Sequence, residues 1–266
     1  MRLHYYRTGQ GDKHPLVLVH GFSDNGLCWL STARDLESEY DVIMPDMRGH
    51  GLSERVQPGE RVDMTADLIA FIRALGLRHP IVAGHSMGAM IAYEMAVGCP
   101  ELASALILEE PPWWLSRPVQ PPLPKEPAEH PVMKWVRTLS NQTMDELMAQ
   151  YRSEHPSWPD ELIHAMCESK KQLDPTVVDI LVKRMNHQES NWLTTVQNVN
   201  IPTLVFAGNP ELGGTVTPEV VAKVRELNPK VTVVYIPDVG HLIRFDNYRA
   251  YMDVLKAFLK QVNGSI

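Results

Sequence analysis

At 266 residues, with 44% hydrophobic and 21% charged residues, the chain has the size and balance of one folded α/β-type domain with room for an insertion; disordered, collagenous and coiled-coil classes are excluded. The net charge is −7 and no Lys/Arg cluster recurs, which argues against a nucleic-acid partner. The three cysteines, Cys28, Cys99 and Cys167, lie far apart without metal-ligand spacing, so neither a disulfide framework nor a zinc site is indicated.

The segment from Met1 to Arg7 has no secretory-type apolar stretch, and no run approaches 18 apolar residues. The expectation is a cytoplasmic protein without a membrane partner. Pro15 to His20 reads as a buried strand and Tyr40 to Met44 as another, with a helix from Leu27 to Leu36 between them. Asp63 to Leu75 repeats apolar residues at helical spacing and stops at Gly76. A strand at Ile81 to Ala83, a helix at Met87 to Val97 and a strand at Ala105 to Leu108 follow. Composition then changes: eight of the 21 prolines fall between Pro111 and Pro131, and five of the six tryptophans between Trp113 and Trp192.

This stretch, 112–198, reads as a helical cap (lid) inserted into a core domain made of 1–111 and 199–266. Its helical candidates are Pro131 to Leu139, Met144 to Ser153, Pro159 to Lys170 and Pro175 to Asn186. The alternation resumes with a strand at Thr203 to Ala207, a helix at Pro218 to Leu227, a strand at Val231 to Ile236 and a closing helix from about Asn247 to Val262. Strands alternating with helices predict a mostly parallel sheet flanked by helices on both faces, with functional groups at the carboxyl ends of its strands.

Gly84-His85-Ser86-Met87-Gly88 is a G-x-S-x-G directly after a strand and opening a helix, the context in which a sharp turn lifts a serine hydroxyl above the sheet. Ser86 is the candidate nucleophile. A serine hydroxyl needs a base, and His241, just past the last strand, reaches the same sheet edge. A tetrahedral oxyanion needs backbone donors, assigned to the amides of Phe22, after His20-Gly21, and of Met87.

Taken in order, His20-Gly21-Phe22, Asp46-Met47-Arg48-Gly49-His50-Gly51-Leu52-Ser53, Gly84 to Gly88 and Gly240-His241 resemble the α/β-hydrolase superfamily over essentially the whole chain. The resemblance implies the α/β-hydrolase fold with a variable cap, no metal and no organic cofactor. Asp46, Arg48 and His50 then read as scaffold. For the triad acid, most of the superfamily implies the loop after Thr203 to Ala207, where Glu211 stands. Haloalkane dehalogenases and zearalenone lactonases instead carry it one strand earlier, which points to Glu110, with Glu109 beside it. Glu110 is the first choice and Glu211 the alternative.

Trp113 and Trp114, following Glu110, read as substrate-contacting residues at the mouth of the site, together with Phe22 and His85. The other cap tryptophans, among them Trp135 and Trp158, read as packing residues. Serine as nucleophile points to acyl chemistry on a small-molecule ester or lactone, apolar or aromatic, in the manner of a carboxylesterase or lactonase. The alternatives are a carbon–carbon bond hydrolase, a cofactor-free perhydrolase or haloperoxidase, and, from another class, a ligand-binding receptor of hydrolase fold without turnover. Oligomeric state is not written in the sequence.

Overall fold

The computed structural model describes residues 1–9, 11–57, 59–115, 131–178, 180 and 192–264. Its strands are β1 (Tyr5–Thr8), β2 (His14–Val19), β3 (Tyr40–Pro45), β4 (Ile81–His85), β5 (Ala105–Glu109), β6 (Thr203–Ala207) and β7 (Val231–Tyr235). They form one sheet in the order β1-β3-β2-β4-β5-β6-β7. All neighbours are parallel except β1, which runs antiparallel to β3. The sheet is the mostly parallel one expected from strands alternating with helices.

Strand β1 is absent from the sequence reading because it lies at the sheet edge and is only partly buried, so Tyr5-Tyr6-Arg7-Thr8 carries no continuous apolar run. The inner strands are the reverse. β3, β4, β5 and β6 are buried at every position, as expected of parallel strands covered on both faces.

Side chains alternate between the two faces. Val17, Val82, Leu106 and Val205 pack with Leu68 and Ile72 of helix α2 (Met64–Ala74), Ile91 and Met95 of α3 (Met87–Gly98), and Val220 and Val224 of a later helix, Pro218–Leu227. Leu16, Val42, Ile107 and Leu204 pack on the other face with Ala33 and Leu36 of α1 (Leu30–Leu36) and with the closing helix Tyr248–Asn263, through Leu255 and Leu259. Each such fully buried aliphatic side chain contributes about 1.5–3 kcal/mol.

Between β5 and β6 lie α4 (Pro131–Asn141), α5 (Met144–Glu154) and α6 (Asp160–Lys171). The start of α5 is fixed by a reciprocal cap between Thr143 and Glu146. Leu139, Leu147, Ile163 and Met166 of these helices join the apolar cluster on the α1 side of the sheet. Of the candidate helix at Pro175 to Asn186, residues 175–178 and 180 are helical, and the rest falls outside the described residues. Pro218–Leu227, numbered α7, opens with Thr217 capping the Val220 amide; Tyr248–Asn263, numbered α8, is capped by Asn247. Among the described residues no helix is long and apolar enough to cross a membrane.

Candidate active site

Ser86 joins β4 to α3 with φ of +51° and ψ of −113°, a left-handed conformation that side chains other than glycine adopt only under constraint. The constraint comes from both sides. The Ser86 amide donates to the Glu109 carbonyl at 2.9 Å, and the Met90 amide donates to the Ser86 carbonyl at 3.0 Å. The flanking glycines make the turn possible, because a Cβ on Gly84 would run into the Gly88 backbone and one on Gly88 into the Val19 and His20 carbonyls.

His241 lies in the loop after β7, with Nδ1 3.4 Å from Glu110 Oε2. The carboxylate on Nδ1 favours a proton there and leaves Nε2 as the basic atom. Glu110 is fully buried and, like Ser86, has φ of +51°. Its carboxylate accepts the Gly208 amide at 2.6 Å, the Thr215 hydroxyl at 2.9 Å and the Thr215 amide. These donors come from the loop after β6, the loop that carries Glu211. Glu211 itself sits exposed in the turn Pro210–Leu212 and is not brought to His241. The physical reason is local: Gly208 packs directly on Gly240, and Gly213, at φ of +94°, turns the chain back, so the segment between them bulges to solvent.

Glu109 points elsewhere. It binds the Arg244 amide through Oε1 at 2.8 Å and the Arg244 guanidinium through Oε2 at 2.6 Å, wholly out of water. Burial pushes the Glu109 carboxyl up and the Arg244 charge opposes this; Arg244 is held protonated.

A cavity of about 480 Å³ opens above Ser86 and His241, walled by Phe22, Ser23, Asp24 and His85 from the sheet side and, opposite, by Trp135, Tyr151, Glu154, Met166 and Lys170 of α4 to α6 and by His155 and Trp158 of the α5–α6 connection. Of the residues read as substrate-contacting, Phe22 and His85 line this cavity. His85 donates Nε2–H to the His241 carbonyl at 2.9 Å, and burial holds its imidazole well below the usual range, hence neutral. The Met87 amide is among those at a helix start that lack an intrahelical acceptor, and it lies at the positive end of the α3 dipole.

Trp113 and Trp114 require correction. Trp113 is fully buried in the core, stacked on Trp192 at 5.3 Å and edge-on to Tyr93 at 5.1 Å, while the Trp114 carbonyl accepts the Trp192 indole N–H at 3.3 Å. Neither lines the cavity. Burying two large rings against each other outweighs exposing them at a site mouth. Trp135, read as packing, is instead exposed and reaches the cavity, while Trp158 packs in the core as read and also lines the cavity. Trp158 stacks on His155 at 3.8 Å and donates to Asp246 at 3.0 Å.

Sequence reasoning also missed Asp24 and Lys170, a buried ion pair at 2.6 Å in which Lys170 additionally donates to the Ser23 carbonyl at 3.2 Å. Burial pushes the Asp24 carboxyl up, but Lys170 and other nearby cations outweigh it and leave it at about 2. No local spacing links residues so far apart in sequence. The predicted scaffold is seen in Asp46, fully buried, which accepts the amides of Gly26 at 2.7 Å and Leu52 at 2.9 Å. His20 accepts the Met47 amide on Nε2 at 2.9 Å and donates Nδ1–H to the Gly21 carbonyl at 2.7 Å, which defines its neutral tautomer. Among the described residues no His/Cys/Asp/Glu cluster is arranged to hold a metal.

A serine on a strained strand-to-helix turn, at the carboxyl edge of a sheet with this strand order, defines a hydrolase fold, and the chain belongs to the alpha/beta hydrolase family, whose profile matches residues 16–254. It is a hydrolase-family enzyme. Among its relatives is N-formylmaleamate deformylase of Pseudomonas putida, 30% identical over 267 residues and covering 97% of this chain and 93% of that protein. The crystal structure of an N-formylmaleamic acid deformylase from Pseudomonas putida S16 superposes with a TM-score of 0.76 at 26% identity, over 96% of each chain. An E-2-(acetamidomethylene)succinate hydrolase, 20% identical with a TM-score of 0.76 over 97% of this chain and 95% of that one, shares the fold.

Proposed function

We propose that this enzyme is a serine hydrolase cleaving a carboxylic ester or lactone through an acyl-enzyme on Ser86, with His241 as base and Glu110 as acid. The observation that carries this reading is the contact of His241 Nδ1 with the buried Glu110 carboxylate, itself held by three other donors, on the same cavity as the strained Ser86. In this scheme His241 Nε2 takes the Ser86 proton as Oγ attacks the carbonyl. The oxyanion is held by the amides of Phe22 and Met87, and His241 returns the proton to the leaving alkoxide. Water, deprotonated by the same imidazole, then releases the acid. Glu110 stays ionised and stabilises the imidazolium.

Helices α4 to α6 act as the cap, within an insertion at 112–198. The cavity volume suits a small to medium substrate whose acyl or alcohol part meets Phe22, Trp135 and Trp158. With Trp113 in the core, the aromatic mouth that would single out a large lactone loses its support, and the simple ester is the preferred substrate class. A second reading, hydrolysis of an N-acyl amide, is favoured by the full-length similarity to N-formylmaleamate deformylase. The same groups would serve, with His241 protonating a leaving nitrogen.

The test is single-turnover acylation and steady-state hydrolysis of p-nitrophenyl esters, aromatic lactones and N-formyl amides by wild type and Ser86→Ala. Ser86-dependent bursts with the esters support the ester reading. Turnover confined to the amides replaces it with the second, and Ser86-independent hydrolysis sinks both.

A further inference from the structure

Two neighbouring glutamates end β5, and they hold the same loop at two points. Glu110 meets His241, and Glu109 meets Arg244, three positions further on, through both its amide and its guanidinium. The Glu109 carbonyl at the same time receives the Ser86 amide, so one residue touches the turn that carries the nucleophile and the loop that carries the base. The guanidinium is fixed in turn: it lies 3.8 Å over the Trp29 ring and 4.1 Å over the Phe245 ring, and Nη2 stands 3.2 Å from Cys28 Sγ. Arg244 is 2% exposed and Glu109 fully buried, which is an expensive way to join two segments unless their relative placement matters.

We propose that the Glu109–Arg244 pair is the positioning device for His241, setting the imidazole relative to Ser86 from behind while Glu110 orients it from the side. The inference rests on His241 being the base. Apolar packing would bury the same loop, but it would not fix the loop's register against β5 to a fraction of an ångström; two directional bonds from one carboxylate to a backbone amide and a planar guanidinium do. Arg244 and Glu109 touch no substrate and are positioning residues only.

The groups around the His241 ring make the claim testable by charge. It is faced by Glu110 at the end of β5, by neutral His85 from β4 and by Asp24 on the sheet side, with Glu154 and Lys170 across the cavity, while Glu109 acts on it electrostatically from behind, where it is paired with Arg244. Removing Glu109 leaves the Arg244 cation uncompensated behind the imidazole and makes protonation of the ring harder. Removing Arg244 does the opposite.

The experiment compares wild type, Glu109→Gln, Arg244→Met, Arg244→Lys and the charge-free pair Glu109→Leu/Arg244→Met. It records pH profiles of p-nitrophenyl acetate acylation, ring titration of His241 by histidine-labelled NMR, and thermal melting. Expected are a loss in kcat of about 100-fold with KM within about threefold for Glu109→Gln and Arg244→Met, and opposite displacements of the acid limb and of the His241 titration, downward for the first and upward for the second. Arg244→Lys, which keeps the charge but not the planar fork, should restore the His241 titration towards wild type while recovering only part of the rate. The charge-free pair should fold yet remain slow, which keeps the question open to decision if a single variant unfolds. Variants that melt lower but keep wild-type rates and an unmoved His241 titration would reduce the pair to a structural strut. Opposite NMR displacements in an enzyme without Ser86-dependent acylation would uphold the pair and overturn the ester reading alone.

Discussion

The two walls of the cavity are built by different means. The sheet-side wall is made of backbone: Ser86 and Glu110 sit at positive φ, Gly84, Gly88, Gly208 and Gly240 allow segments to touch where no side chain fits, and amides from the 208–215 loop hold the Glu110 carboxylate. The opposite wall is made of side chains, in the stacked pair His155 and Trp158, the half-exposed Trp135, and Lys170 bound to Asp24. The first arrangement leaves almost no room for added side chains, and in the proposed function it serves chemistry; the second is built of side chains that can be exchanged, and in the proposed function it serves recognition.

If the comparison holds, damage to the first wall should stop turnover. Ser86→Ala should cost roughly 10⁵–10⁶ in kcat, and Glu110→Gln roughly 10⁴, while Glu211→Gln stays within about twofold; steady-state kinetics on one ester decides all three. Comparable losses in the two glutamine variants would mean that the exposed loop takes part in catalysis. Next in size is Lys170→Met, which strands the Asp24 carboxylate in a buried position. It should cost about 3–5 kcal/mol in urea unfolding, and a cost below about 1 kcal/mol would show that the pair is hydrated in solution.

Acid should find the same pair. The Asp24 carboxyl is at about 2 in the folded chain against 3.8 ordinarily, so the stability it contributes is fully present above pH 4 and is lost as pH falls through 4 towards 2. In Asp24→Asn that part of the acid-unfolding slope should vanish. Smallest of all, Trp135→Ala should raise KM for aromatic esters about three- to tenfold and leave kcat nearly unchanged, measured against an acetyl ester as control. A fall in kcat instead would move Trp135 from recognition to the support of Phe22, whose ring it approaches at 6.2 Å.

The same division explains what was legible beforehand. Gly84 to Gly88 and the strands around them announce the nucleophile turn, because a tight backbone leaves a residue pattern that survives in one dimension. That only one of Glu109 and Glu110 meets His241 was approachable, since side chains alternate along β5; the choice between Glu110 and Glu211 came from the family resemblance alone. The cap aromatics were not approachable. Helical periodicity shows that Trp135 lies on a helix, and Trp158 stands in a turn outside any periodic stretch, so neither signal says whether the ring meets protein or a cavity; Trp113 packs in the core against Trp192, a partner far along the chain. Asp24 and Lys170 belong to the same blind spot: they are 146 positions apart, and nothing in either neighbourhood names the other.

The tryptophan clasp bears on how such enzymes diversify. Trp192 reaches back 78 positions to the Trp114 carbonyl and stacks on Trp113, so the chain that leaves the sheet after β5 is tied to the chain about to re-enter at β6. Once a loop's ends are pinned, the entropy of closing it grows only logarithmically with length, about 0.6 kcal/mol per doubling. Loop closure therefore sets little limit on the length of the stretch between the two rings, and what constrains it is its own packing: Leu139, Leu147, Ile163 and Met166 in the apolar cluster and Lys170 on Asp24 are the points that any exchanged segment would have to keep.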